Sequence, residues 1–188
     1  MNRAEAIETI ATVASSDDAI VSTTGLISRE FFERFDSERN IYIPGSMGLS
    51  SSIGLGIALS RNNRRVIVVD GDASLLMNLG TIVTIGNKRP RNLLHIILDN
   101  GSYASCSEET SMSHSANLSR LARNVGYEYV RNADSCNRLK CAIVSFKRGP
   151  GFIRAVIALG GLRDFRRPLK LTEIKERFMR FLNQQRKG

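Results

Sequence analysis

The chain has no tryptophan, two histidines, three cysteines and four prolines among its 188 residues, and no long hydrophobic run. Each scarcity excludes something. Cys106, Cys136 and Cys141 are odd in number and lack zinc or redox spacing, so a disulfide framework and a zinc site are both excluded. Free thiols in a reducing cytosol are expected. No apolar stretch approaches the roughly 20 residues that span a bilayer, so no membrane segment is expected. The start, MNRAEAIETIATVASSDD, reads as an amphipathic helix with Ala4, Ile7, Ile10 and Ala11 on one face. It lacks the apolar core and cleavage site of a secretion signal, which points to a cytoplasmic location.

Acidic residues are also in short supply, and the formal net charge is +9. The basic residues are spread through Arg61, Arg64, Arg65, Lys88, Arg89, Arg91 and a tail from Arg163 to Lys187, with no interleaved aromatic platform. No nucleic-acid motif accompanies them, so no nucleic-acid partner is expected. A solvated basic face is the default, and an anionic cofactor, an anionic substrate or an acidic partner subunit suits the charge equally well.

What is present is an alternation of helix and strand signals along the whole chain. That order specifies a doubly wound α/β fold, a mainly parallel sheet with helices on both faces, in one domain over residues 1–188. Short strands are expected at Ala19-Ile20-Val21 and Ile41-Tyr42-Ile43, with a helix over Ser28 to Phe35 between them. The stretch PGSMGLSSSIGLGIALS then feeds a helix in which Gly48, Ser52 and Gly56 form a small-residue stripe for close packing. Later elements are a helix over Leu118 to Val125, a strand around Tyr127 to Val130, and a helix from Cys136 to Phe146. A strand from Gly151 to Leu159 and a connection at Arg163 to Arg167 follow, before a final helix carrying Ile174, Phe178 and Phe181.

The most informative stretch is VIVVDGDASLLMNLGTIVTIGNKRPRNLLHIILDNGSYAS, from Val66 to Ser105. Its two continuous β-branched and aliphatic runs read as strands buried on both faces of a parallel sheet, joined by a helical crossover. One breaks at Gly71-Asp72-Ala73 and the other at Asp99-Asn100-Gly101-Ser102, so both deliver their turns to the same sheet edge. Ligands bind at that edge in open α/β sheets. Asp72 offers a carboxylate and Asn100 a side-chain carbonyl, hard oxygens suited to a Mg²⁺ that shares a diphosphate. The polar loop from Ser105 to Ser115 follows directly and is placed to close over a substrate. Cys106 in that loop reads as a small filler, His95 as a structural residue of a buried strand, and His114 as a solvated loop histidine or a proton donor.

At these residues the chain resembles the cofactor-binding half of thiamine diphosphate enzymes. Their GDG motif, followed about two dozen residues later by an Asn pair or Asp-Asn, stands here as Gly71-Asp72-Ala73 and Asp99-Asn100. The likeness is nearest to the thiamine diphosphate-binding part of phosphonopyruvate and sulfopyruvate decarboxylases, on DDAIVSTTGLISRE, IPGSMGLSSSIGLGIAL, GDASLLMNLGTIVTIGNKRPRNL and LDNGSY. It is strong from Asp17 to Tyr103. The resemblance implies that Asp72, Asn100 and the main-chain carbonyl of Ser102 ligate Mg²⁺, and that Thr24, Gly25 and Ser74 contact the diphosphate. It also implies that the Gly45 carbonyl accepts from the cofactor's 4′-amino group and that Met47 props the cofactor in its bent shape. Ser46, Gly71, Ala73 and Tyr103 complete the implied cofactor-binding set.

Two departures from the family pattern stand out. Ala73 replaces the third motif glycine, and Ser105-Cys106-Ser107-Glu108-Glu109-Thr110 replaces a Ser-Thr-Gly-Gly-Gln loop. The resemblance further implies a glutamate that activates the pyrimidine ring from a separate pyrimidine-binding domain. No glutamate here lies in such a sequence, so a separate pyrimidine-binding subunit is expected to supply it in a hetero-oligomer. The implied activity is decarboxylation of a small 2-oxo acid. A carboligase subunit of the acetolactate synthase kind and a degenerate regulatory subunit remain as alternatives.

Overall fold

The computed structural model describes residues 1–165 and 170–184; Arg166, Arg167 and Lys187 of the basic stretches lie outside them. The elements are α1 (Arg3–Val13), β1 (Ala19–Ser22), α2 (Leu26–Phe35), β2 (Asn40–Tyr42), α3 (Ser50–Ser60), β3 (Val66–Gly71), α4 (Asp72–Met77) and α5 (Gly80–Lys88). There follow β4 (Leu93–Asp99), a 3₁₀ turn (Met112–His114), α6 (Leu118–Val125), β5 (Tyr129–Ala133), α7 (Cys136–Ser145), β6 (Gly151–Val156) and α8 (Leu171–Asn183). Among the described residues no helix is long and apolar enough to cross a membrane.

Six strands form one sheet in the order β2-β1-β3-β4-β6-β5, and every pairing is parallel. The apolar runs are continuous because successive side chains enter opposite layers. Ile67 and Val69 join Ala6, Ile7, Phe31 and Ile143 in one core, whereas Val66 and Val68 join Leu55, Ile85 and Phe152 in the other. From β1 the chain steps one way to β2 and then back the other way to β3. The switch point therefore lies between β1 and β3, where a crevice opens outside the strand ends.

Four local expectations are corrected. The crossover between β3 and β4 is two helices rather than one, because Asn78 leaves helical geometry and turns its side-chain amide to the Gly48 carbonyl at 3.1 Å. The strand expected at Tyr127 begins at Tyr129, since Gly126, at φ +108°, ends α6 and the Tyr127 amide donates to the Ala122 carbonyl. β6 stops at Val156, not Leu159, as the Ala158 amide leaves the sheet for the Met1 carbonyl at 2.9 Å. In α3 the close-packing glycine is Gly54, whose added Cβ would stand 2.2 Å from Val68 Cγ2, whereas Gly56 faces open space. Of the proposed stripe, Gly48 meets α4 and Ser52 pairs with Thr81 at 2.8 Å.

Candidate active site

A cleft of about 470 Å³ opens at the switch point, between the carboxyl ends of β1, β3 and β4. Its lining includes Thr24, Met47, Gly71, Asp72, Ala73, Ser74, Asn100, Ser102 and Tyr103, which the strand-end pattern and the family resemblance together had gathered from four separate loops. Gly25 stands at its margin as the N-cap of α2, at φ +82°, where an added Cβ would meet Ser105 Oγ at 2.9 Å. Gly45 and Ser46 are exposed in the turn before Met47 and do not line the cleft. The lining also takes in Thr23, Leu26, Ile27 and Leu98, which stand within the quoted motifs but were given no role, and Arg3 and Ile157, which no motif marked.

Strand β3 passes into α4 without a loop, so Asp72 is the first residue of that helix. Neither α2 nor α4 has a side-chain cap, and the first-turn residues of both line the cleft. Uncapped first turns carry free N–H donors and a positive end charge, the arrangement that holds phosphate groups. Ala73 lies within α4 and is buried, so its methyl fits the helical backbone and the departure from the motif glycine is accommodated.

Asp72 is 2% exposed. Burial pushes its carboxyl above the usual carboxylate range and the nearby Asp99 charge adds to this, although the Ser111 and Ser113 hydroxyls act in the other direction. Ser111 Oγ donates to Asp72 Oδ2, and Ser113 Oγ donates to Asp99 Oδ1 at 2.8 Å. Asn100 Oδ1 accepts from the Ser102 amide at 3.0 Å, which fixes the side chain between the two strand ends. A desolvated carboxylate beside an amide oxygen and main-chain carbonyls is a hard-oxygen donor set with spare negative charge. It fits a divalent cation of the Mg²⁺ kind. Among the described residues no three His, Cys, Asp or Glu side chains cluster as metal ligands, in keeping with a single carboxylate supplemented by neutral oxygens.

The neighbouring Asp70 behaves differently. Burial pushes its carboxyl up, but the contact with His95 and the Ser74 hydroxyl outweigh this and hold it below the usual range. Asp99 is compensated by Arg154, whose Nε lies 2.5 Å from Oδ2. Leucine at position 154 would leave that buried carboxylate without its cation. The expected loss is about 2 kcal/mol, at the low side for breaking such pairs because Arg154 retains some exposure. Thermal melts of Arg154→Leu and of Arg154→Leu/Asp99→Asn test this, and the second variant should recover most of the deficit.

The loop after Asn100 folds back on itself. Ser102 bridges Thr110, the Tyr103 amide donates to the Glu109 carbonyl at 2.8 Å, and Ser102 Oγ donates to the Glu108 carbonyl at 3.0 Å. Its Glu108 carboxylate is ion-paired with Arg163, which also reaches the Ala104 carbonyl at 3.3 Å. One of the two carboxylates near the cleft mouth is thus neutralised by the segment after β6. Cys106 is exposed on this loop, and His114 is exposed with its ring over Gly101, where an added Cβ would fall 2.2 Å from Nε2.

An all-parallel doubly wound sheet, a switch-point cleft and two uncapped helix starts beside a hard-oxygen cluster define a protein that binds a phosphorylated ligand with a cation. Comparison with known proteins makes the class specific. The chain belongs to the family described as "Thiamine pyrophosphate enzyme, C-terminal TPP binding domain", which matches residues 24–155. It is 38% identical over 180 residues to the sulfopyruvate decarboxylase subunit beta of Methanothermobacter thermautotrophicus, covering 96% of this chain and 95% of that one. It is 37% identical over 184 residues to the phosphonopyruvate decarboxylase of Streptomyces viridochromogenes, covering 96% of this chain but 46% of that one. Among solved structures, 2-oxoglutarate:ferredoxin oxidoreductase from Magnetococcus marinus shares the fold, with a TM-score of 0.69 at 17% identity over 88% of this chain and 64% of that one.

Proposed function

We propose that the chain is the diphosphate-binding subunit of a split thiamine diphosphate-dependent decarboxylase acting on a small 2-oxo acid. The observation that carries this reading is the meeting of Asp72, Asn100 and Ser102 with Thr24, Ser74 and Met47 around one cleft. Asp72, the Asn100 side chain and the Ser102 carbonyl would hold Mg²⁺, while the first turns of α2 and α4 would hold the diphosphate. Met47, half-buried on the wall, would support the cofactor between its rings. When bound, the cofactor would supply the electron sink that decarboxylation of a 2-oxo acid needs. The protein's part is to fix that cofactor and exclude water.

The residues that line the cleft, among those described, include no glutamate. Glu30 is ion-paired with the lining residue Arg3 at 2.5 Å, and Glu108 with Arg163. A pyrimidine-binding subunit would therefore supply the activating carboxylate. The relatives support such a division: one is a beta subunit matched almost end to end, and the other is about twice as long with its match confined to about half. The Arg163–Glu108 pair removes one repulsive charge from the cleft mouth, which favours a substrate bearing a second anionic group such as a sulfonate or phosphonate.

The test is turnover of 2-oxo acids by the purified chain with thiamine diphosphate and Mg²⁺. No CO₂ release above background is expected until a pyrimidine-binding subunit is added, after which the rate should rise by several orders of magnitude, the scale of enzymatic catalysis. Full turnover by the chain alone would refute the division of labour. Formation of a hydroxyketone in place of an aldehyde by the reconstituted pair would identify a carboligase instead.

A further inference from the structure

Behind the cleft, and outside its lining, the sheet buries two polar side chains that the reading above does not use. Asp70 on β3 and His95 on β4 are both 0% exposed, inside runs otherwise built of valine, isoleucine and leucine. His95 pairs with Val68 in the register and Asp70 with Ile97, so both point into the layer that holds Phe152, Leu55 and Ile85. An apolar pair would fill this place at lower desolvation cost. The contacts show what the polar pair accomplishes.

His95 Nε2 lies 3.4 Å from Asp70 Oδ2, and Nδ1 lies 3.4 Å from the Tyr127 hydroxyl. The Asp70 carboxylate can only accept, so His95 Nε2–H donates to it, and in that tautomer Nδ1 is left to accept from the Tyr127 hydroxyl. Asp70 Oδ1 accepts the Gly71 amide at 2.9 Å, and the nearby Ser74 hydroxyl helps to hold the carboxylate below its usual range. Ser74 Oγ in turn lies 3.0 Å from Thr23 Oγ1 and accepts the Gly48 amide at 3.0 Å. Asp70 thus holds the end of β3 directly and stands beside Ser74, which itself joins the end of β1 to the turn before α3.

We propose that His95 and Asp70 are positioning residues for the diphosphate cradle, holding the Thr23, Gly48 and Gly71–Ser74 segments in one arrangement from behind the cleft. This rests on the cofactor reading, and it adds that the cradle is preorganised by a buried pair that never touches the ligand. Outer-shell partners of this kind fix the geometry of groups that do touch.

The decisive comparison is His95→Leu against His95→Gln, with Asp70→Asn as a second variant should the leucine chain fail to fold. Leucine matches the surrounding core and removes the donor to Asp70; glutamine restores an N–H near the Nε2 position. Thiamine diphosphate affinity with Mg²⁺, measured by calorimetry, is expected to fall about tenfold or more in His95→Leu and in Asp70→Asn, and to recover to within about threefold in His95→Gln, the usual scale for second-layer partners. Without any cofactor, the Gly48 and Gly71 amides should lose hydrogen-exchange protection in His95→Leu while strands β4 and β6 keep theirs. Leucine-variant affinity within twofold of wild type, or equal losses in the leucine and glutamine variants, would overturn the proposal. If the wild-type chain binds no thiamine diphosphate even with a pyrimidine-binding subunit present, the cofactor reading fails instead, and the two amides still report whether His95 orders the turns.

Discussion

Asp72→Ala is expected to abolish Mg²⁺-dependent binding of thiamine diphosphate while leaving the chain folded. The carboxylate is the one full negative charge among the cleft-lining groups, and it sits at a strand end rather than in either core. Alanine removes the only anionic donor of the proposed cation site, and the neutral oxygens of Asn100 and Ser102 cannot hold a hydrated divalent ion alone. Affinity should fall by at least about a hundredfold, a loss on the scale of a missing charged partner. Stability should move the other way. Burial and then Asp99 raise the folded-state value of the Asp72 carboxyl above its unfolded one. The folded chain therefore binds that proton more tightly, and ionisation as pH rises toward neutrality costs the fold stability. At neutral pH the ligand-free variant should melt at or above the wild-type temperature, with the wild type regaining the advantage only when Mg²⁺ and cofactor are present. Calorimetry and thermal melts with and without both ligands check the pair of outcomes; a variant that melts early and fails to bind would show that Asp72 serves the fold instead.

Gly86→Ala should be the most damaging glycine-to-alanine change among the described residues. An added Cβ there would stand 1.8 Å from the Val125 carbonyl oxygen and 2.6 Å from its carbon, both main-chain atoms at the end of α6. The reverse contact is also too tight, because a Cβ on Gly126 would meet the Gly86 carbonyl oxygen at 2.9 Å. Two helices touch here backbone to backbone, so neither can yield by rotating a side chain. Alanine's better helix propensity returns at most about 1 kcal/mol. The clash should exceed it, giving a net loss of about 2–3 kcal/mol, at the upper end of overpacking costs. For a domain of this size that lowers the melting temperature by roughly 5–10 °C. Gly56→Ala is the control: its site is open, and the same methyl should be neutral or stabilise by up to about 1 kcal/mol. Similar melting temperatures for the two variants would contradict the packing described.

How much of this was readable before the structure depends on the range of the forces involved. The strands at Val66 and Leu93 declared themselves because burial on both faces leaves an unbroken apolar run, and the paired turns at Asp72 and Asn100 followed from strands ending on one edge. The break at Asn78 was hidden, since the apolar spacing of Leu75, Leu79 and Ile82 continues through it and the helix is interrupted by tertiary contacts of the Asn78 amide with Gly48 and Ser52. Arg3 was hidden too. It shares a face with Ala6, Ile7 and Ile10, and nothing local announces that Glu30 will satisfy it. Ser111 and Ser113 look like any polar loop residues until the fold brings two carboxylates to them. Arg163 likewise gains meaning only from Glu108, which lies far back in sequence. Periodicity and turn chemistry are encoded within a few residues, whereas charge compensation is settled by the tertiary pairing.

The contact of the Arg3 guanidinium with the Leu162 carbonyl joins residues 159 apart in sequence, and Arg3 itself lines the cleft. Such a closure belongs to the late stage of folding, because parallel pairings and distant contacts must first overcome the entropy of long loops. The pocket walls come from segments spread from α1 to the end of β6, so no early intermediate with part of the sheet contains a usable cavity. Ligand capture thereby selects chains that have completed their topology and withholds its stabilisation from those that have not. Cofactor retention during refolding is consequently a stringent assay of full native assembly, one that helical content, gained earlier, cannot replace.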